Sequence, residues 1–361
     1  MSIFSILSKR LRTFASYFSV EAGVDFGTSN ILVYVRNRGI VINDPTMIAR
    51  IRKKKYTGLS APRVKNLKPV AYGLRAKEML DREPAQIEVV DPVKNGIVSD
   101  LDAAEKLIAY YLKLIDDIPT GYPKLFKPRV LIGVPTNINS VQKRAIKSIF
   151  LSFGLKDVVL VEQAVLVSLA LGLDLDKPSG LVIVDIGGGK TEVSVVSMGG
   201  VVVSEMINLG GKDFDQDIIN FLKMKYGVLI GQNTAEKIKE KMYETTIVRG
   251  RDLEKGLPKT IKITKEELLE ATNLSLNKII GLTNRVLAET PPELMQDILQ
   301  KGIFLTGRMS NFYGLKEMME RSVKMPVSLD KDTGMSVTIG LGELIENKDN
   351  LDKVKLVSKF N

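Results

Sequence analysis

The feature that most constrains this chain is a unit that occurs twice. Residues 24–35 read VDFGTSNILVYV, and residues 184–195, about half a chain later, read VDIGGGKTEVSV. In each copy a buried-looking apolar run ends in Asp, a turn of Gly and small residues follows, and a second apolar run starts at once. This reads as strand, tight turn, strand. Val, Asp and Gly agree at the turn, and two later valines align. Two such units predict a duplicated, two-lobed α/β fold, and 361 residues are enough to give each lobe its own core.

The turns have a chemistry of their own. Consecutive backbone N–H groups can cradle a phosphate chain when no side chain blocks the approach, which favours Gly and small polar residues. Gly27, Thr28, Ser29 and Asn30 form one candidate phosphate turn, with three side-chain donors; Gly187, Gly188 and Gly189 form the other. Asp25 and Asp185, at the strand ends, can hold Mg²⁺ through waters and offset phosphate charge. Taken singly, either Asp could be a mere turn-former; their pairing argues otherwise. Both turns run into strands, not helices, so neither a dinucleotide fingerprint nor a P-loop fits.

Composition narrows the chemistry. The chain has no Cys, His or Trp, which removes disulfides, thiol nucleophiles, Cys/His zinc sites and Ser-His-Asp schemes. Catalysis is left to carboxylates, amides, hydroxyls, lysines, backbone dipoles or an oxygen-held metal. The net charge of +10 favours anionic partners, but the cations are scattered without an aromatic platform, so no nucleic-acid partner is expected. A basic run, Arg50–Lys55, reads as a solvated hairpin.

The first eighteen residues, MSIFSILSKRLRTFASYF, contain no acid. At about 100° per residue, Ile3, Phe4, Leu7, Leu11, Phe14 and Phe18 share one arc of a helix. Such a helix could lie at a headgroup boundary, with Lys9, Arg10 and Arg12 each contributing about 1 kcal/mol against anionic lipid. The alternative is a helix folded on its own domain. Helical periodicity recurs at 101–116, about 138–153, 213–243 and 262–289, the last with Thr264 and Glu267 spaced as a capping box. Residues 347–361 read as a charged, loose tail.

From residue 22 to about 346 the sequence resembles the MreB family of bacterial actins, within the actin and sugar-kinase superfamily. The stretches that carry the resemblance are VDFGTSNILVY, IVINDP, AKEMLDREP, DPVKNGIVSDLDAAEKLI, KPRVLIGVPTNI, VDIGGGKTEVSV, LIGQNTAEKIK and GIFLTG, in order along the chain. The resemblance implies an α/β fold of two lobes, each with a five-stranded mixed sheet and a smaller inserted subdomain. Lobe I would take 20–158 plus 330–346 with its subdomain at about 44–85; lobe II would take 159–329 with its subdomain at about 212–265. Residues 1–19 would stand apart as the amphipathic helix. ATP or ADP with Mg would lie between the two turns. Glu236, Lys237, Ile238 and Lys239 would supply the adenosine-contacting helix, and Gly307 with Arg308 the adenine-side loop. Leu125 and Phe126 match a membrane-inserting loop of the family. The implied partners are further copies of the chain in paired antiparallel protofilaments, the anionic inner face of the cell membrane, and paralogous MreB proteins. The protein would then be cytoplasmic and peripheral to that membrane.

Three positions depart from the family pattern. Gln163 stands where a Glu usually polarises the attacking water, and an amide cannot accept a proton. Lys190 replaces a Thr after the third glycine, placing a cation beside the γ-phosphate unless it turns to solvent. Arg308-Met309 follows Gly307 where a glycine is usual. ATP binding with slow or weak hydrolysis is therefore expected, as in one paralogue among several of the kind that wall-less helical mollicutes use for shape and swimming. The rival reading is a small-molecule kinase of the superfamily. It lacks a candidate catalytic Asp outside the two turns. A chaperone-type ATPase is disfavoured because no peptide-binding domain follows residue 346.

Overall fold

The computed structural model describes residues 21–52, 68–116, 129–155, 157–332 and 334–357. Two five-stranded mixed sheets organise it. The first runs Gly39–Pro45, Asn30–Val35, Glu21–Phe26, Arg129–Val134, Asp157–Glu162; the second runs Gly200–Ile207, Thr191–Ser197, Leu181–Ile186, Ile303–Thr306, Val327–Leu329. The order is the same in both. In each, the strand that carries the Asp, Glu21–Phe26 or Leu181–Ile186, pairs antiparallel with the strand after its turn and parallel with a later one. The repeat in the sequence is thus a repeat in topology.

Both faces of each central strand are covered, so these strands are nearly all apolar rather than alternating. Side chains still alternate between two layers. Val130 and Ile132 enter a core with Leu107, Ile108, Ile149 and Phe150 of the outer helices Leu101–Asp116 and Ser140–Ser152. Leu131, between them, enters a central core that also takes Ile183 of the second sheet. That central core is built on helices Gln163–Ala170 and Ser336–Glu346, so the two halves share one apolar floor. The helices cross closely there: a Cβ on Gly340 would lie 2.0 Å from the Leu166 carbonyl oxygen. A cleft lies above this floor.

Each sheet carries a smaller unit. The first has the three-stranded sheet Pro69–Tyr72, Ile48–Ile51, Ile87–Val90 with helix Gly73–Met79. The second has Val228–Leu229, Thr246–Asp252, Pro258–Ile263 under helices Gly211–Tyr226 and Gln232–Glu240. Expected helix boundaries hold at Leu101–Asp116 and at Ser140–Ser152, where Asn139 forms a capping box with Gln142. The Thr264–Glu267 capping box starts Lys265–Glu289, with Glu267 Oε2 accepting from Thr264 N at 3.0 Å.

Three expectations need correction. Strand Asp157–Glu162 belongs wholly to the first sheet, which therefore extends past the boundary expected at 158. Arg50 is not solvated: strand pairing turns it inward, where it binds Glu88 and Asp100, each at 2.7 Å. The described part of the segment expected as a loose tail forms helix Lys348–Val357, because Leu351 and Val354 fall on one face and bury in the central core. The lipid-facing candidates Ile3, Phe4, Leu7, Leu11, Phe14, Phe18, Leu125 and Phe126 lie outside the described residues. Among the described residues no helix is long and apolar enough to cross a membrane.

Candidate functional site

The cleft floor is set by two equivalent strand ends. Asp25 lies opposite Leu32 and beside Gly133; Asp185 lies opposite Glu192 and beside Thr306. Asp25, Gly27, Thr28, Ser29 and Asn30 line one cavity with Asp185, Gly187, Gly188 and Gly307 from the other half. The two turns touch across it. A Cβ on Gly188 would sit 1.8 Å from Ser29 Oγ, and one on Gly189 2.8 Å from Thr28 Cγ2. Only glycine permits that approach. Gly307 has φ +83° and its Cβ position lies 2.7 Å from Asp185 Oδ1, so this turn too admits no side chain.

Local hydrogen bonds fix the turns. Thr46 Oγ1 donates to the Gly27 carbonyl at 2.8 Å, and Gly96 N donates to Thr28 Oγ1 at 2.8 Å. Gly211 N and Lys212 N, opening helix Gly211–Tyr226, donate to the Gly187 and Gly188 carbonyls at 2.9 and 2.8 Å. Asn30 Nδ2 donates to Asn43 Oδ1 at 3.0 Å, and Arg308 Nη2 reaches the same oxygen from the second half at 3.4 Å.

The electrostatics favour a cation. Burial, then the charge of Asp185, pushes the Asp25 carboxyl up to about 7, against the hydrogen bond from Gln163 and the charge of Lys190. Burial raises Asp185 to about 6, with Glu192 and Asp330 adding to it and Lys190 opposing. Two desolvated carboxylates, neither in an ion pair among the described residues, suit a hydrated divalent ion, which would relieve both. Among the described residues no group of three or more potential ligands occurs, so such an ion would rely on water for most of its shell.

Gln163 and Lys190 both reach the cavity. Gln163 Nε2 donates to Asp25 Oδ1 at 3.1 Å, and its Oε1 is buried without a partner among the described residues. Lys190 is buried, not turned to solvent, and its ammonium lies 2.7 Å from Glu192 Oε2. Burial alone would raise Glu192, but the charge and hydrogen bond of Lys190 and a bond from Thr136 outweigh it and hold the carboxyl below its usual range. Glu192 Oε1 accepts from Thr136 N in the first half at 3.2 Å. The charge of Lys190 is therefore largely spent inside the protein. Sequence reasoning missed Glu192, although residues two apart on a strand share a face.

A second cavity adjoins the first and shares Ser29, Asn30, Gly187, Gly188 and Arg308 with it. Glu236 and Lys239 line it, as do Met242 and Met309. Lys239 binds Asp215 at 2.6 Å, an acid not singled out from sequence. Lys237 and Ile238 do not line it. Helical phase turns Lys237 to solvent and Ile238 into the core of the small subdomain.

Two duplicated sheets joined at an apolar floor, with an Asp–Gly turn from each facing the other, define a protein of actin-like fold. The MreB/Mbl protein family model matches residues 19–353. The cell shape-determining protein Mbl of Bacillus subtilis is 36% identical over 348 residues, covering 94% of this chain and 99% of that protein. MreB of Escherichia coli K12, also described as cell shape-determining, is 34% identical over 347 residues, covering 94% and 97%. Crystal structures of MreB5 of Spiroplasma citri bound to AMPPNP and to ADP superpose with TM-scores of 0.83 and 0.83 at 28% and 27% identity, each covering 92% of this chain and 98% of the other. The chain belongs to the MreB/Mbl family of bacterial actins.

Proposed function

We propose that the protein binds ATP–Mg²⁺ in the cleft and polymerises into membrane-associated cytoskeletal filaments that set cell shape or helicity, with weak hydrolysis. The observation that carries this is the direct contact of the Gly27–Asn30 and Gly187–Gly189 turns. Their N–H groups and the Thr28, Ser29 and Asn30 side chains would hold the phosphates. Asp25 and Asp185 would hold Mg²⁺, which supplies charge neutralisation for the phosphates. Glu236 and Lys239 would face the nucleoside, with Arg308 over the junction of the two cavities. MreB5 of Spiroplasma citri, bound to AMPPNP and ADP in its structures, supports the nucleotide reading.

Weak hydrolysis follows from two side chains. Gln163 can orient a water but cannot take its proton, and one of its two N–H donors is already given to Asp25. Lys190 fills space beside the turn where a hydroxyl would place that water. Filaments follow from head-to-tail contacts that repeat without closing, and lobe closure on nucleotide would favour assembly. The amphipathic residues 1–18 with Leu125 and Phe126 would attach the filament to anionic lipid, paired weak contacts reinforcing one another. Lobe boundaries near 162 and 330, antiparallel pairing and paralogue partners belong to the same proposal.

Sedimentation with ATP–Mg²⁺, with phosphate release followed in parallel, tests this reading. Pelleting that needs nucleotide, with release well below that of a family member carrying Glu and Thr at positions 163 and 190, is the expected result. Phosphate transfer to a small metabolite without pelleting would favour the kinase instead.

A further inference from the structure

The mouth of the cleft is crossed by two ion pairs that run in opposite senses. Lys77, on helix Gly73–Met79 of the first half, binds Glu236 of the second at 2.8 Å. Lys212, at the start of helix Gly211–Tyr226 in the second half, binds Asp91 of the first at 2.5 Å. All four side chains are about a quarter exposed, at 27% and 28% for the first pair and 24% and 24% for the second. Water still reaches them, yet neither pair is a loose surface contact. Around the first pair, Asn233 Nδ2 donates to the Leu80 carbonyl at 3.1 Å, and Gly231 lies so close that a Cβ would meet Asp81 Oδ2 at 2.6 Å. Asp91 keeps a second oxygen, Oδ1, buried and without a hydrogen-bond partner among the described residues.

Both lysines line the cavity next to the phosphate turns. A ligand held on those turns and against Glu236 and Lys239 therefore has these pairs over its exit. The two halves share an apolar floor, so opening has to occur at the mouth, and it has to separate Lys77 from Glu236 and Lys212 from Asp91. We propose that these two reciprocal ion pairs form a gate that sets the rate at which nucleotide leaves the cleft, with Lys77 and Asp91 acting as positioning residues. This rests on the nucleotide reading of the same cleft. The gate is electrostatic, so nucleotide exchange in this chain is tuned by ionic strength and by any partner that competes for either lysine. Because cation and anion alternate between the halves, sliding one half past the other strains both pairs together, and the gate resists shear as well as opening.

Release of a fluorescent ATP analogue, chased with excess unlabelled ATP–Mg²⁺ in a stopped-flow instrument, tests the gate. Lys77→Met and Asp91→Asn should each speed release about 5-fold, and the double variant about 25-fold, since the pairs share no atoms. The charge-exchanged Lys212→Asp/Asp91→Lys should restore slower release than Asp91→Asn. Raising NaCl from about 50 mM to about 500 mM should speed release from the unaltered protein while leaving the double variant nearly unchanged. That salt arm stands even where a substitution impairs folding. A purely structural role for the residues would alter melting temperature without this loss of salt dependence. Release rates indifferent to salt in the unaltered protein, or unchanged in both single variants, would overturn the gate. Failure of the unaltered protein to bind the analogue at all would instead overturn the nucleotide reading.

Discussion

Replacing Lys190 by Met should be far more damaging than its place in a turn suggests. The Lys190 and Glu192 side chains are only 7% and 3% exposed, and their charges sit 2.7 Å apart. Met matches the apolar stem of Lys but leaves the Glu192 carboxylate buried without a cation. Removing one partner of a buried pair costs about 3–5 kcal/mol. Glu192 retains neutral donors in Thr136 N at 3.2 Å, Ser194 at 3.4 Å and Ser204 at 3.5 Å, so the lower end, about 3 kcal/mol, is expected. Lys190→Met/Glu192→Gln removes both charges and keeps an oxygen acceptor for Thr136 N, so it should recover about 2 kcal/mol of that loss. Urea unfolding of nucleotide-free protein at pH 7, followed by circular dichroism, measures both. A single-variant loss below about 1 kcal/mol would place the pair with exposed ones and refute the reasoning. So would a double variant no more stable than Lys190→Met.

Gly188→Ala drives a methyl group onto Ser29, and separating the turns should weaken ATP binding at least about 10-fold in a filter or fluorescence assay while the melting temperature changes little. Asp25 has its folded pKa raised to about 7 from 3.8, so the folded state holds that proton longer; its stabilising contribution is complete below about pH 4 and is lost as pH rises through 7. Without metal or nucleotide, the melting temperature of the unaltered protein should therefore fall relative to Asp25→Asn between pH 5 and pH 8, and parallel curves would contradict this. Leu351→Ala removes a side chain only 4% exposed from the central core and should cost about 2–4 kcal/mol in urea, whereas a value near zero would mean that the last helix is not packed.

What could be read from the sequence was what short-range chemistry dictates. The two Asp–Gly turns, the strands after them, the Thr264 capping box and helix Leu101–Asp116 all follow from a few neighbouring residues. The partners of charged side chains did not. Lys190 looked like a free cation although its partner Glu192 is only two residues on, because the burial that locks the pair comes from both halves, Thr136 N of the first half donating to Glu192. Arg50 looked solvated because the acids it binds, Glu88 and Asp100, come from separate elements. Lys237 and Ile238 do not line the cavity that Glu236 and Lys239 line, since a motif fixes a segment's position but not which face meets the cavity. The hairpin Thr246–Asp252/Pro258–Ile263 went unseen because its inward residues Val248, Ile261 and Ile263 are few, and Gly250 and Pro258 are residue types that usually interrupt a strand. In the tail misread as loose, Leu351 and Val354 are buried anchors within a charged stretch.

In the proposed function the two turns in contact hold one polyphosphate between the halves, and calorimetric titration of ATP into the protein with Mg²⁺ tests that most directly. One site per chain, with an affinity at least about 10-fold weaker in Gly188→Ala, is the expected result. Well-folded protein that gives no heat of binding at saturating ATP and Mg²⁺ would contradict it.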